Sequence, residues 1–238
     1  MKPTVTLFIP TKNEIEAMRV IMPQIDRAWI DQIVVVDDST DGTADYAEQI
    51  GCEVVRQREK GLRAAYVEGF PRVRGDLVIT FSPDGNSPVE AIPHLVAKQQ
   101  EGYDMVIGSR YLPPARSADD DWLTAFGNWT FTHAINVLHG HAWRRPYTDA
   151  MVIYRIYRTR LFYELELDQP AGYAVEKWFG TRLGVEPLLS VRAAKRKLRI
   201  AEIPVDEPAR IGGERKLQPF RWGAGYMTQV FRELYFWK

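Results

Sequence analysis

A chain of 238 residues with 45% hydrophobic and 26% charged side chains buries a real core, which excludes a disordered or collagen-like protein and suggests one sizeable domain plus an appendage. Lys+Arg and Asp+Glu are equal at 31 each, so no overall field gathers nucleic acid or anionic lipid; no nucleic-acid partner is expected. The single cysteine, Cys52, forms no internal disulfide, and the N-terminus has no signal-like apolar region. No stretch reaches the roughly 18 to 20 apolar residues that span a bilayer; the chain reads as cytoplasmic, with any membrane contact peripheral.

In chain order, Val5–Ile9 is a short apolar run closed by Pro10, as a buried parallel strand reads, and helical spacing follows from Asn13 to about Ala28. Ile33–Val36 is a second such strand, ended by the polar cluster Asp37-Asp38-Ser39-Thr40-Asp41-Gly42-Thr43. A helix over Ala44–Ile50 and a strand over Glu53–Arg56 come next. The alternation continues with a helix at Arg63–Phe70, a strand at Leu77–Phe81, a helix at Pro88–Glu101 and a strand at Asp104–Ile107. Repeated βα units predict an α/β fold, a mainly parallel, Rossmann-like sheet with helices on both faces. An acidic loop over Pro113–Asp121 precedes a helix at Leu123–Leu138. The second half is less regular, with strands predicted at Ala150–Arg155 and Leu198–Pro204. The last stretch, 217–238, is rich in aromatics (Phe220, Trp222, Tyr226, Phe231, Tyr235, Phe236, Trp237) interleaved with Arg221, Arg232 and Lys238. It reads either as an amphipathic element at a membrane interface or as a terminal helix packed on the domain or across a homodimer.

Open parallel sheets bind ligands beyond the carboxyl ends of their strands. Four of those ends are polar: Pro10-Thr11-Lys12-Asn13-Glu14, the Asp37–Thr43 cluster, Ser82-Pro83-Asp84-Gly85-Asn86 and Gly108-Ser109-Arg110-Tyr111. Each alone is an ordinary cap or turn. Together they describe one polar edge, where the pair Asp37 and Asp38 needs donors such as ribose hydroxyls or base N–H groups.

The strings IPTKNE, VVVDDSTDGT, EKGLRAAYVEG, RGDLVITFSPDGNSP, GSRY and YTDAM…YR, in this order and spacing over about residues 4 to 217, resemble the family 2 glycosyltransferases, most closely the dolichyl- or polyprenyl-phosphate mannose and glucose synthases. The resemblance implies a glycosyltransferase A-type catalytic domain over 1–216 with an aromatic C-terminal tail over 217–238. It implies inverting transfer of a hexose from a nucleoside diphosphate sugar, of the GDP-mannose or UDP-glucose type, to a polyprenyl phosphate. Pro10, Thr11, Glu14 and Asp37 or Asp38 would hold the nucleoside, and Lys60, Gly61 and Arg63 would lie near base and phosphates. The family's Asp-x-Asp string, which holds Mg²⁺ or Mn²⁺ on the diphosphate, reads Ser82-Pro83-Asp84 here. Asp84 keeps the second acid and Asn86 stands where Gln is common, so Asp84 and Asn86 are the implied metal ligands.

By the same resemblance Asp149 is the carboxylate beside the reaction centre and Glu176 the second candidate. Arg110, Arg210 and Lys216 are implied to meet phosphate, the last two in the Arg210–Leu217 loop. The branch commonly carries an Arg a few residues before a Leu-Gly-Asn-like string. Trp122, Leu123, Thr124 and Ala125 precede Phe126-Gly127-Asn128 here, leaving Arg144 and Arg145 as substitutes. That departure favours an alternative, a same-fold enzyme acting on a cell-envelope or soluble saccharide. Ser82 raises another, a non-catalytic protein that binds nucleotide sugars. A nucleotidyltransferase is disfavoured because no Gly-rich loop follows the first strand.

Overall fold

The computed structural model describes residues 2–140, 146–212 and 219–237. In chain order its elements are β1 (Val5–Thr11), α1 (Ile15–Ile21), β2 (Gln32–Asp37), α2 (Thr43–Gln49), β3 (Glu53–Arg56), α3 (Leu62–Gly69), β4 (Leu77–Thr80) and α4 (Ala91–Gln100). They continue as β5 (Met105–Ser109), α5 (Trp122–Leu138), β6 (Arg155–Arg158), α6 (Leu161–Glu164), α7 (Glu176–Phe179), α8 (Glu186–Lys195), β7 (Ile200–Pro204) and α9 (Pro219–Phe236). The strands form one sheet in the order β3-β2-β1-β4-β6-β5-β7. All neighbouring pairs are parallel except those of β6, which runs antiparallel to both β4 and β5.

Because successive strand residues face opposite sides, the near-continuous apolar runs of β1 and β2 feed two cores. Phe8, Val34 and Val36 pack with Tyr66, Phe70, Phe162 and Ile135, under α3, α5, α8 and α9. Leu7, Ile9 and Val35 pack with Met18, Ile21, Leu95 and Val96 of α1 and α4. The expected α/β sheet covered on both faces is what the chain forms.

Two local expectations differ, and one helix was not expected. The helix expected from Asn13 to Ala28 stops at Ile21, because Pro23 follows and opens only a single 3-10 turn, Met22–Gln24; a second turn, Arg27–Trp29, is capped by Asp26. The strand expected at Ala150–Arg155 begins only at Arg155. Its fully buried guanidinium takes the carbonyls of Ala150 and Val152, and with them the ladder positions that a strand there would need. The helix α8 escaped the sequence reading because it is buried on all sides, Glu186 and Arg192 included, and so has no polar stripe.

The C-terminal helix packs on the domain. Arg192 of α8 pairs with Glu233 of α9 (Nε–Oε2 2.9 Å), with side chains 3% and 0% exposed. Gln229 donates to the Gly172 carbonyl at 2.9 Å, and His139 Nε2 lies 3.0 Å from the Val230 carbonyl. The Trp237 ring sits under Arg192, Lys195 and Arg196, and its indole N–H donates to Glu166. Phe231, Tyr235 and Phe236 remain exposed on the other side of the helix. Removing Arg192 leaves the buried Glu233 with only Arg232 (Nη1–Oε1 3.4 Å) among the described residues, so Arg192→Ala should cost about 3 kcal/mol. Tyr235→Ala should cost less than about 0.5 kcal/mol. Chemical denaturation of both variants checks the contrast.

Candidate active site

The carboxyl ends of β1, β4, β5 and β7, with the segment leading into antiparallel β6, meet at one edge of the sheet and enclose a cleft of about 450 Å³. Lys12 and Glu14 line it after β1. Ser82, Asp84, Asn86 and Ser87 line it after β4, Arg110 after β5, and Glu207 and Arg210 after β7. The far wall is Leu62 at the start of α3, Met151–Ile153, Glu186 and Pro187 at the start of α8, and Trp222 and Tyr226 of α9. The aromatic tail thus supplies part of the cleft.

The turn after β4 owes its shape to Gly85, whose φ of +96° suits glycine. Asp84 is 5% exposed; its Oδ1 accepts the Asn86 N–H at 3.1 Å, and its Oδ2 meets Arg210 Nη2 at 3.0 Å. Asn86 donates its amide N–H to Asp119 at 3.0 Å, while its Oδ1 is buried without a hydrogen-bond partner among the described residues. A buried carbonyl oxygen left unpaired costs about 1 to 3 kcal/mol. An oxygen-seeking divalent cation is a suitable partner for it, so Asp84 and Asn86 fit such an ion. Among the described residues no group of three or more His, Cys, Asp and Glu is arranged to hold a metal, so the remaining ligands would come from phosphate oxygens and water.

Arg110, 12% exposed at the side chain, is met by three carboxylates: Asp149 (Nε–Oδ2 2.7 Å), Glu207 (Nη1–Oε1 3.1 Å) and Asp120 (Nη1–Oδ2 3.6 Å). Burial pushes the Glu207 carboxyl above its ordinary value, against the pull of Arg110 and the Ser117 hydroxyl. Asp149 is fully buried, and both its oxygens are held by Arg110. Its backbone is fixed in turn by Glu202, which accepts the N–H groups of Thr148 and Asp149. Arg110 lines the cleft, and Asp149 lies behind it, off the lining.

Other candidates fall in different places. Asp37 is buried and accepts the Thr11 hydroxyl at 2.6 Å and both the N–H and hydroxyl of Ser39, so Thr11 and Asp37 join the ends of β1 and β2 to each other rather than face the cleft. Asp38 pairs with Lys12 at 2.7 Å, which brings its charge to the rim, and Pro10 is partly exposed at the end of β1. Lys60 is exposed in the loop before α3. Arg63 and Glu176 pair with each other at 2.9 Å, Arg63 lies over the Tyr173 ring, Glu176 also accepts the Leu183 N–H, and neither lines the cleft. The pair ties the start of α3 to α7. Lys216, Arg215, Arg144 and Arg145 lie outside the described residues.

The sequence reading missed Glu186, Glu207 and Asp119. Glu186 had a usable signal, because Glu followed by Pro marks a helix start. It lies in the cleft wall and accepts the Tyr66 hydroxyl at 2.6 Å; burial raises its carboxyl above the ordinary value of 4.5, and Tyr66 opposes that shift. Glu207 carried no sequence signal.

Two outcomes follow from these pairings. Arg110→Met and Asp149→Asn should each impair turnover, and the double variant should lose little more than the worse single one, a coupling of about 1 to 3 kcal/mol in a double-mutant cycle of kcat/KM. A carboxyl whose folded pKa is raised stabilises the fold below its unfolded value, and that contribution is lost as pH rises. The melting temperature of the native chain relative to Glu186→Gln should therefore fall as pH rises through and above 4.5, as thermal unfolding at several pH values will read out.

The fold has counterparts. The description "Glycosyl transferase family 2" matches residues 6–166. An undecaprenyl-phosphate mannosyltransferase of Micrococcus luteus is 30% identical over 226 residues, covering 90% of this chain and 87% of that protein. A dolichyl-phosphate hexose transferase of Haloferax volcanii is 29% identical over 224 residues, 93% of this chain and 90% of the relative. Among solved structures, glucosyl-3-phosphoglycerate synthase of Mycobacterium tuberculosis, in complex with Mn²⁺, UDP and phosphoglyceric acid, superposes with a TM-score of 0.68 at 16% identity over 99% of this chain and 80% of that one. That likeness concerns the fold. With the family matched across most of the chain, the non-catalytic alternative falls away: the protein is a glycosyltransferase and belongs to glycosyl transferase family 2, on the side of the polyprenyl-phosphate sugar transferases.

Proposed function

We propose that this enzyme transfers a hexose, with inversion, from a nucleoside diphosphate sugar of the GDP-mannose or UDP-glucose type to a polyprenyl phosphate. The observation that carries the reading is the cleft itself: Asp84 and the unpartnered Asn86 carbonyl on one wall, with Arg210 and Arg110 beside them. The curated relatives named above, whose names specify dolichyl and undecaprenyl phosphate, support the acceptor class.

In this reading the nucleoside lies along the ends of β1 and β2, near Pro10, Thr11, Glu14 and Asp38. Lys60, in the loop before α3, comes within range if that loop folds inward, and Arg63 if it exchanges Glu176 for a phosphate. The diphosphate lies over Asp84 and Asn86. Mg²⁺ or Mn²⁺ held there would neutralise charge on the leaving diphosphate. Arg210, with Lys216 from the same loop, meets phosphate oxygens by charge-assisted hydrogen bonds. The acceptor phosphate oxygen attacks the anomeric carbon while the bond to the diphosphate breaks. A phosphate monoester is already anionic near neutral pH, so no base is required. This agrees with an Asp149 whose oxygens are both committed to Arg110, leaving Arg110 to orient the incoming phosphate.

Lipid access is supported by a second feature. The helix α5 contains no Asp, Glu, Lys or Arg between Trp122 and Leu138, and it exposes Trp122, Phe126, Trp129 and Val137 at helical spacing. With Phe231, Tyr235 and Phe236 of α9, these side chains suit peripheral contact with a membrane interface. No helix among the described residues is long and apolar enough to cross a membrane. A second reading, transfer to a saccharide hydroxyl, does need a base. Glu186 favours it, as a carboxylate in the cleft wall whose proton affinity is raised by burial.

Transfer of radiolabelled sugar from UDP- and GDP-hexoses, with and without Mn²⁺, tests the proposal. Label should move to a short-chain polyprenyl phosphate, and chelation should stop it. Asp84→Ala should lower kcat/KM by about 10² to 10³-fold, the usual loss when a main stabiliser of developing charge is removed. Transfer to oligosaccharides but not to the lipid phosphate would replace the first acceptor with the second.

A further inference from the structure

Asp84 already has a cation. The Arg210 guanidinium meets its Oδ2 at 3.0 Å, with side chains 23% and 7% exposed, and the same guanidinium lies 3.9 Å from Glu14 Oε1. The backbone reinforces the contact: the Ile211 N–H donates to the Asp84 carbonyl at 2.7 Å. The Ile211 side chain covers Gly85 so closely that a Cβ there would come within 3.0 Å of it. One ion pair, one backbone hydrogen bond and one apolar contact therefore fasten the segment after β7 onto the turn after β4. Arg210 Nε is buried with no hydrogen-bond partner among the described residues, and the two terminal nitrogens make the contacts to Asp84 and Glu14.

A guanidinium and a divalent cation compete for Asp84, whose Oδ2 meets Arg210 and whose Oδ1 accepts the Asn86 N–H. At this depth two positive centres on one carboxylate repel strongly, because the effective dielectric is far below that of water. Ser82, where the family string carries another Asp, supplies no second charge to share between them. We infer that Arg210 is an internal counter-ion that a divalent cation must displace from Asp84. A cation arriving alone loses that contest. A sugar nucleotide brings a diphosphate that gives the displaced guanidinium a new partner. Cation and donor consequently bind together, and each raises the affinity of the other by the same factor.

The inference rests on Asp84 as the cation residue, and the experiment separates the two. Mn²⁺ binding to the full chain is followed by the free-ion EPR signal at fixed pH, with and without UDP or GDP as the probe. Arg210→Met should bind Mn²⁺ alone about tenfold or more tightly than the native chain, and added nucleoside diphosphate should tighten it by a smaller factor than it does for the native chain. Equal or weaker binding of Mn²⁺ alone by Arg210→Met overturns the inference while leaving the cation assignment standing. Asp84→Asn should abolish the binding that nucleotide promotes; if it binds Mn²⁺ as the native chain does, the cation assignment itself fails. Thermal unfolding confirms that each variant is folded, and Arg210→Gln replaces Arg210→Met if the latter is not.

Discussion

A carboxylate withdrawn from water costs several kcal/mol unless a cation or several donors meet it, and the acids around this cleft are arranged by that requirement. Asp149 has Arg110, Glu176 has Arg63, Glu233 has Arg192 and Asp84 has Arg210. Asp37 has no cation but is met by the Thr11 and Ser39 hydroxyls and the Ser39 N–H. Each pairing ties together segments far apart in the chain. The pairs hold the end of β5 to the loop before β6, α3 to α7, α8 to α9, and the turn after β4 to the segment after β7.

The same requirement sorts candidate site residues into two kinds. Asp37, Asp149 and Glu176 are satisfied inside the fold, away from the cleft lining, and each fixes a neighbour. Lys12, Asp84, Asn86, Arg110 and Arg210 instead stand at the cleft surface, and under the proposed function they exchange an internal partner for a substrate atom. Phosphate chemistry suits such a site, because a diphosphate and its cation replace one set of ion pairs with another without leaving a charge uncompensated.

The tail has a double role for a physical reason. An amphipathic helix must bury its apolar side, and α9 does so against α5, α7 and α8, placing Trp222 and Tyr226 in the cleft wall and leaving Phe231, Tyr235 and Phe236 outside. The aromatic density of the last residues was plain in the sequence, and both readings of it were open. The packing against the domain is now described. The exposed stripe on α5 went unremarked beforehand, because Trp122, Phe126 and Trp129 sit among residues that also supply its buried side.

Local pattern carried the fold and the polar edge where the cleft lies. Apolar runs in Val5–Ile9 and Ile33–Val36 specify two-sided burial, which only a covered, mainly parallel sheet provides, and the polar residues ending those runs must then share one edge. Local pattern could not show which charge meets which. The distances from Arg110 to Asp149, or from Arg210 to Asp84, depend on contacts between residues tens to more than a hundred positions apart, and nothing within a window of ten or twenty residues encodes them. For the same reason the shift of β6 to Arg155 and the burial of Glu186 belong to tertiary structure: both follow from what surrounds a side chain once the sheet and α8 have closed around it.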